Sequence, residues 1–431
     1  MTQIVLEPLR GFRDILPPDS HALSRLTELF SRLVEAYGYM EVKPPTLERF
    51  QLFAVKSGEE IRRSMYVFKD KAGREVALRP EATASIVRIY LKHLRGQPKP
   101  IRLYYVVNCF RYEEPQKARY REFWQAGIEL LGEPSIIGDF EVIKILAKFY
   151  EKIDMLDNVV LKIGTTRLYR YLFAKYGIGE ETQDHILHLM DKDMYNEAIE
   201  VLIETGHTSL AGLLEELWTK TRNSIDDAKK IVSRVDDKAV KILEEFGKLI
   251  SMLREYNSKL KLEVDLAFAR GLAYYTGTIF EIKVPGFPVS IAGGGRYDNL
   301  IELYGGEKVP GTGFAIGLDR TLAAMRELEI KPRHVYETKT QVAVVVLNEA
   351  FTTYAAQIQD IIAAKRGVSV VLYTSSKLQK MLPKLAKQGY RYAVIIGEQE
   401  AREGKLVLRD LEKREQRTIS IEELRGMDNI I

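Results

Sequence analysis

The stretch NCFRYEEPQKARYREFWQAGIELLG, residues 108–132, interleaves Arg111, Glu113, Arg119, Arg121, Gln125 and Glu129 with aromatic and aliphatic side chains. Guanidinium groups suit phosphate or carboxylate, because a planar fork engages paired oxygens and stays charged at any ordinary pH. Carboxylates and a carboxamide suit the opposite task, accepting hydrogen bonds from an ammonium group or a ring N–H. Side chains of a strand alternate between two faces. With that period the odd positions run Ile101, Leu103, Tyr105, Val107, Cys109, Arg111 and Glu113, then Arg119, Arg121, Phe123, Gln125, Gly127 and Glu129. The even positions Tyr120, Trp124, Ala126, Ile128 and Leu130 read as core, with only Glu122 charged. The polar row is either the solvated face of an antiparallel hairpin or the floor of a ligand site. Charges of both signs, Gly127 and the polar turn at 113–117 favour the floor, but the alternation alone fits both.

Glycine-rich segments raise the possibility of a phosphate loop. GTGFAIG puts glycines at 311, 313 and 317, one residue off the dinucleotide spacing, and no G-x-x-x-x-G-K-[ST] occurs. Both common nucleotide loops are therefore excluded. Gly293, Gly294 and Gly295 in succession are expected to strip one patch of side chains, so that a flat ligand could lie on backbone. A flexible turn is the other reading. Arg320 opens the helix that follows GTGFAIGLD, where an isolated arginine would be a surface residue.

The elements that must position these residues follow from the pattern of apolar side chains. Residues 20–37 read as an amphipathic helix, and Pro44-Pro45 then favours extended chain. Strand and helix alternate over 76–131 and close with the hairpin. A helix is expected over 139–155 and a strand over 158–164. Residues 167–257 are almost wholly helical in pattern, and strands resume at KLEVDLAFARGLAYYTGTIFEIKV. The helical block therefore reads as an insertion in a sheet domain, which gives a sheet domain of 1–166 and 258–329 around a helical insertion of 167–257. A polar linker at 330–340 leads to residues 338–431, where strands and helices alternate as in a small α/β domain with a parallel sheet.

The bulk composition sets bounds. At 431 residues, 46% hydrophobic and 29% charged, the chain is an ordinary globular protein with room for two or three cores. A net charge of +4 neither demands nor excludes RNA, which would have to be held by a local patch. The single cysteine, Cys109, excludes a disulfide framework and a thiolate cage. It is expected to be a small core residue. No membrane span or signal-peptide core is legible, so a cytoplasmic protein is expected.

Five segments, in order, resemble the class II aminoacyl-tRNA synthetase family, and within it the histidyl-tRNA synthetases. YGYMEVKPPTLE is similar to the dimer-interface motif, FRYEEPQKARYREFWQAGIE to the second class motif, and GTGFAIGLDR to the third. ARGLAYYTGTIFE (269–281) and AGGGRYDNL (292–300) resemble the two signatures peculiar to the histidine enzymes, and LRPEATA agrees with them. The resemblance implies an α+β fold. It comprises an antiparallel-sheet adenylation domain, the helical insertion, and a C-terminal α/β anticodon-binding domain. It further implies a homodimeric ligase that uses ATP to activate L-histidine and then charges tRNA(His).

By the same resemblance Arg111 and Arg270 flank the α-phosphate as the catalytic pair. Arg111, Glu113, Arg119 and Arg320 address ATP, with Glu113 on the adenine side and Mg2+ carried on the β- and γ-phosphates, not in a side-chain cage. Histidine would be held by Glu81, Ala82, Thr83, Arg111, Gln125, Glu129, Arg270, Tyr274 and Tyr275. Glu81, Thr83 and Gln125 would take the α-ammonium, and Glu129 and Tyr275 the two ring nitrogens. Three positions depart from the family pattern: Ala273 for a common Asp, Trp124 for a frequent His, and Glu114 for the Arg usual in bacterial members. The competing readings are a catalytically silent regulatory paralogue and an RNA-binding, nutrient-sensing module.

Overall fold

A computed structural model describes residues 6–269, 274–336, 340–365 and 367–427. The chain divides into two compact units, Met1–Tyr336 and Glu337–Ile431.

The first unit is organised by one long hairpin. Strands β5 (Ile101–Phe110) and β6 (Glu122–Leu131) pair antiparallel with Leu103 opposite Glu129, Tyr105 opposite Gly127 and Val107 opposite Gln125. This register puts the odd residues of both strands on one face. Around the hairpin an eight-stranded sheet runs β1-β5-β6-β11-β10-β9-β7-β8. Its other strands are β1 (Met40–Glu41), β7 (Val160–Thr165), β8 (Lys261–Val264), β9 (Thr278–Lys283), β10 (Ala292–Arg296) and β11 (Gly311–Gly317). Only the outer pairs β1–β5 and β7–β8 are parallel. Strands β2 (Leu47–Arg49), β3 (Val67–Lys69) and β4 (Glu75–Leu78) form a small separate sheet.

The even face of the hairpin is core. Ala126, Ile128 and Leu130 are fully buried beside Leu26 and Phe30 of helix α1 (Asp19–Ala36), and Trp124 packs at the edge of the same cluster. Between them, α2 (Gln51–Ser57) and α3 (Thr83–Ile89) precede the hairpin, and α3 covers its odd face through Ile86 and Val87. Helix α4 (Ile136–Lys152) starts three residues earlier than the apolar pattern predicts. Ser135 caps it by accepting from the Ile137 N–H, and Asp154, in the left-handed region at φ 56°, follows its end. The helical block comprises α5 (Arg167–Lys175), α6 (Glu180–Asp191), α7 (Tyr195–Glu204), α8 (Thr208–Lys220), α9 (Ile225–Val232) and α10 (Asp237–Tyr256). After it, α11 (Leu300–Leu303) and α12 (Leu318–Glu327) flank β11.

Two buried arginines tie irregular chain to this frame. Arg79 is 3% exposed and donates to the carbonyls of Pro44, Pro45 and Asn108 at 2.7–3.0 Å. Its side chain fixes the extended proline segment against the hairpin. Arg296, at the end of β10, meets Asp139 of α4 at 3.0 Å and also donates to the Glu133 and Ser135 carbonyls. Both members of that pair are nearly inaccessible, so every remaining proton of the guanidinium must find an acceptor inside the protein.

The second unit differs from the parallel sheet expected. Strands β12 (Thr340–Val346), β13 (Val368–Thr374) and β14 (Tyr392–Ile396) are parallel, but β15 (Lys405–Asp410) and β16 (Gln416–Ser420) extend the sheet antiparallel, in the order β13-β12-β14-β15-β16. KLVLRD alternates buried Leu406 and Leu408 with more open residues, and Asp410 accepts the turn N–H groups of Glu412 and Lys413. The hairpin thus has a local cause in a stretch dense with charge.

Removing Asp139 alone would leave Arg296 buried with the half-buried Asp298 as its remaining ion-pair partner and Glu133 as a nearby charge. Asp139→Ala is expected to destabilise the first unit by about 3–5 kcal/mol, the range for breaking a buried pair from one side. Both tryptophans, Trp124 and Trp218, lie in that unit, so urea unfolding followed by tryptophan fluorescence reports on it alone. An unchanged midpoint would refute the role given to the pair.

Candidate active site

The odd face of the hairpin is the floor of a cavity of about 120 Å³. Tyr105, Phe123, Gln125 and Glu129 rise from the floor, and Glu81 and Thr83 at the start of α3 form one wall. Tyr274, Tyr275 and Tyr297 form another, while Arg111 and Arg320 stand among the residues that complete the rim.

One end is acidic and closely packed. Glu129 is 2% exposed; its carboxylate accepts from the Thr83 hydroxyl at 2.8 Å and from the Tyr297 hydroxyl. Burial pushes Glu129 up to about 8, although the hydrogen bonds from Tyr297 and Thr83 act the other way and the charge of Glu81 adds to the rise. Glu81 accepts the N–H groups of Thr83 at 2.6 Å and Ala84 at 3.0 Å, which anchors it on the first turn of α3. Burial raises Glu81 too, against those backbone bonds and the nearby Arg111. Two desolvated carboxylates facing one small space form a receptor for cationic or N–H-bearing groups.

The other end is cationic. Arg111 donates from Nε to the Pro80 carbonyl at 3.1 Å, and its guanidinium stands 5.4 Å from the Phe123 ring centroid. Arg320 donates to the Ser290 carbonyl at 3.1 Å. Each is steered by a backbone oxygen, and guanidinium N–H groups suit an anion.

Small residues make the floor between the two ends. A methyl on Gly313 would come within 2.1 Å of a Glu129 carboxylate oxygen and 2.3 Å of the Ile128 carbonyl, so this glycine makes room for the buried acid. The run Gly293-Gly294-Gly295 does not clear one bare patch as expected. It lies in β10, where successive residues face opposite ways. A methyl on Gly294 would strike the Gly313 carbonyl and Phe280, and one on Gly295 the Tyr275 ring at 2.8 Å. Both glycines admit protein, and the run borders the cavity only through Gly293 and Gly294.

The structure thus brings together Glu81, Thr83, Arg111, Gln125, Glu129, Tyr274, Tyr275 and Arg320. Ala82 is buried just behind the wall, among the core side chains under α3. Glu113 and Arg119 do not line the cavity; they lie in the loop between β5 and β6, where Arg119 is exposed and its N–H bonds the Gln116 carbonyl. Arg270 and Ala273 fall outside the described residues. Glu114 is exposed and paired with Arg10, and Trp124 is turned to the core with its N–H donating to Asp319. Cys109 is fully buried, and its thiol, pushed up to about 12 by burial, donates to Gln125.

Tyr105, Phe123 and Tyr297 carry no motif that marks them as site residues in the sequence alone. The first two share the odd face already read as polar, and Tyr297 follows Gly293 and Gly295 at the same period of two.

Comparison with known proteins gives the site a context. A family model described as histidyl-tRNA synthetase matches residues 11–321, and one described as an anticodon binding domain matches residues 341–427. A protein of Sulfurisphaera tokodaii named histidine–tRNA ligase is 42% identical over 424 residues, 98% of this chain and 98% of the relative. One of Metallosphaera sedula with the same name is 42% identical over 97% of each chain. Among solved structures, histidyl-tRNA synthetase from a Nostoc species covers 98% of both chains at 25% identity, with a TM-score of 0.76.

The raised Glu129 has a consequence for stability. An unfolded glutamate titrates near 4.3, so between about 4 and about 8 the folded chain holds a proton that the unfolded chain has released. The contribution is complete below that interval and is lost as pH rises through it. Glu129→Gln cannot titrate. Its stability relative to the parent should therefore rise from about pH 5 to about pH 8.5, by no more than about 1.4 kcal/mol per pH unit. Urea unfolding of both proteins at several pH values measures the difference, and a pH-independent difference would mean that Glu129 is ionised throughout.

Proposed function

We infer the chemistry of the cavity from one premise: the chain belongs to the histidyl-tRNA synthetase family. It is a histidine–tRNA ligase, a class II aminoacyl-tRNA synthetase with an α+β fold. Identity of about 40% to ligases over nearly the whole chain, the C-terminal unit included, supports the enzyme over a silent paralogue or an RNA-binding sensor.

The observation that carries the assignment of roles is the polarity of the cavity, with buried carboxylates at one end and guanidinium groups at the other. In our reading the histidine ammonium meets Glu81, Thr83 and Gln125, and its imidazole lies between Glu129 and Tyr275, with Tyr274 alongside. A pocket that reads both ring nitrogens discriminates strongly, because a misfit leaves buried polar groups unpaired. The histidine carboxylate then faces the cationic end. One of its oxygens attacks the α-phosphorus of ATP, the bond to the β-phosphate oxygen breaks, and histidyl-adenylate and pyrophosphate form. Negative charge spreads over the non-bridging oxygens, where fixed donors are most effective. Arg111 and Arg270 are assigned to the α-phosphate and Arg320 to the γ end. Arg119 and Glu113 would join the nucleotide from the loop, Arg119 at the γ end and Glu113 beside adenine. In the second step a hydroxyl of the 3′-terminal ribose of tRNA attacks the activated carbonyl, and AMP leaves.

Mg2+ would arrive with ATP and would supply charge neutralisation on its phosphates. Arg111 and Arg320 at that end suit phosphate, not metal, and among the described residues no three His, Cys, Asp or Glu side chains converge as an ion cage. The residues 1–166 and 258–329 serve as the adenylation domain in this reading, 167–257 as the insertion, and 338–431 as the anticodon-binding domain. A homodimer in the cytoplasm completes it; among the described residues no helix is long and apolar enough to cross a membrane.

Histidine-dependent ATP–pyrophosphate exchange, followed by charging of tRNA(His) against one other tRNA, tests the function directly. Absence of histidine-dependent exchange would refute it. Within that assay, run at about pH 8.5 where Glu129 has released its proton, Glu129→Gln should weaken histidine by ~1.5–3 kcal/mol, as for a hydrogen bond to a charged group, and leave the KM for ATP nearly unchanged. A histidine KM within about twofold of the parent would deny Glu129 the imidazole. Deleting residues 338–431 should strongly reduce charging and spare exchange by comparison. Equal charging by the truncated protein would remove the anticodon-binding role.

A further inference from the structure

A second buried cluster of charge lies outside the cavity and joins the helical block to the sheet. Asp265, which follows β8, is 2% exposed and holds two cations. Lys162 of β7 stands 2.8 Å away, and Arg222, from the turn between α8 and α9, donates Nε and Nη2 to the two carboxylate oxygens at 2.7 and 2.8 Å. Burial alone would raise Asp265, but the hydrogen bonds from Arg222 and Lys162 outweigh it and hold the group ionised.

The backbone beyond Asp265 is gripped from the same side. The Leu266 N–H donates to the Arg222 carbonyl at 2.8 Å, and the Tyr169 hydroxyl of α5 donates to the Leu266 carbonyl. Trp218 of α8 in turn donates to Tyr169 at 3.0 Å. Two residues on, the Phe268 ring lies 4.7 Å from the Lys162 ammonium and packs with Tyr275 and Ile279. Tyr275 lines the cavity. A continuous set of contacts therefore runs from a helical-block guanidinium, through Asp265 and Phe268, to a wall of the pocket.

Holding the helices against the sheet does not require this ion cluster. Leu249, Ile250 and Leu253 of α10 already share a buried apolar cluster with α4. A desolvated carboxylate with two cations is an expensive way to add adhesion, and apolar residues would often do as well. What the forked bond adds is direction, since it fixes the orientation of both partners.

We propose that Arg222 is a positioning residue for histidine binding: from the helical block it holds Asp265, and through Phe268 it sets the Tyr275 wall of the pocket. The inference rests on the reading of that pocket as the histidine site. The helical block is then a structural support for amino-acid recognition in its own right.

The test is a double-mutant cycle on the full-length protein, using ATP–pyrophosphate exchange with each substrate varied in turn. Arg222→Gln should raise the KM for histidine about five- to tenfold, as for a residue acting through others, with the KM for ATP within about twofold. Arg222→Lys should recover part of the loss. In the Arg222→Gln/Tyr275→Phe double variant the combined loss should be smaller than the product of the single losses, because both act at one wall. Phe268→Leu keeps all three charges and should show the same histidine-selective, Tyr275-dependent loss, which keeps the test valid if Arg222→Gln folds poorly. Losses that multiply, or histidine and ATP constants that worsen together, would overturn the proposal and leave Arg222 a structural staple. A parent protein without histidine-dependent exchange would instead overturn the reading of the pocket on which it rests.

Discussion

A carboxylate buried in the middle of a sheet sets the terms for everything around it. Glu129 sits in β6 with almost no exposure, and such a group must be neutral or surrounded by donors. Each neighbour answers that requirement. Gly313 in β11 has no side chain because any atom there would occupy the space of the carboxylate. Thr83 offers a hydroxyl because Glu81 has drawn the start of α3 into position by accepting its N–H groups. Tyr297 offers a second hydroxyl, and it is placed by Arg296, the preceding residue, which Asp139 and two α4-side carbonyls hold in the core. The stretches LRPEATA, AGGGRYDNL and GTGFAIGLDR therefore meet at one acid, through Thr83, Tyr297 and Gly313. A hydroxyl, a tyrosine and a glycine answer the same electrostatic problem.

The cavity also separates charge by type of contact. At the acidic end the polar groups are saturated by one another, so a ligand must replace or join existing hydrogen bonds. At the cationic end Arg111 and Arg320 are aimed by the carbonyls of Pro80 and Ser290. The first arrangement discriminates among ligands, because partners are lost if the fit is poor. The second suits an anion, because guanidinium groups are already oriented by the backbone. A receptor for a small cationic group and a receptor for an anion can thus coexist on one sheet.

What was legible in the sequence was whatever depended on strand periodicity. The odd face of β5 and β6 could be read because Ala126, Ile128 and Leu130 are apolar without interruption while Gln125 and Glu129 are not. The helical block was legible from its own helical period, and the five motif segments only from their resemblance to a known family. Less accessible was anything decided by packing between strands. The three glycines of β10 read as a bare patch, but Gly294 and Gly295 serve Phe280 and Tyr275, neighbours that only the sheet order reveals. The strands β15 and β16 were hidden by charge, since a hairpin with one open face need not look apolar. Nor could periodicity follow Glu113 and Arg119 through a loop, where alternation no longer fixes direction and Arg119 turns out to solvent.

The same limit explains why the link between the helical block and the pocket is invisible in a linear reading. Arg222, Lys162 and Asp265 are far apart in sequence, and each resembles a surface charge on its own. Folding brings them together because β7 and β8 run parallel as neighbours, with Lys162 opposite Glu263 and Asp265 just beyond the last paired residue. A parallel pair needs a long crossover, and here the crossover is the helical block itself. The block is thus attached at both ends to the strands that carry Lys162 and Asp265, and the turn holding Arg222 returns to the point where the second strand ends. Topology therefore makes the helical insertion a neighbour of the segment leading to Tyr274 and Tyr275. An insertion elsewhere in the sheet would not have that contact. The buried ion cluster follows from this choice of crossover, and it turns a connection required by sheet geometry into a support for the active site.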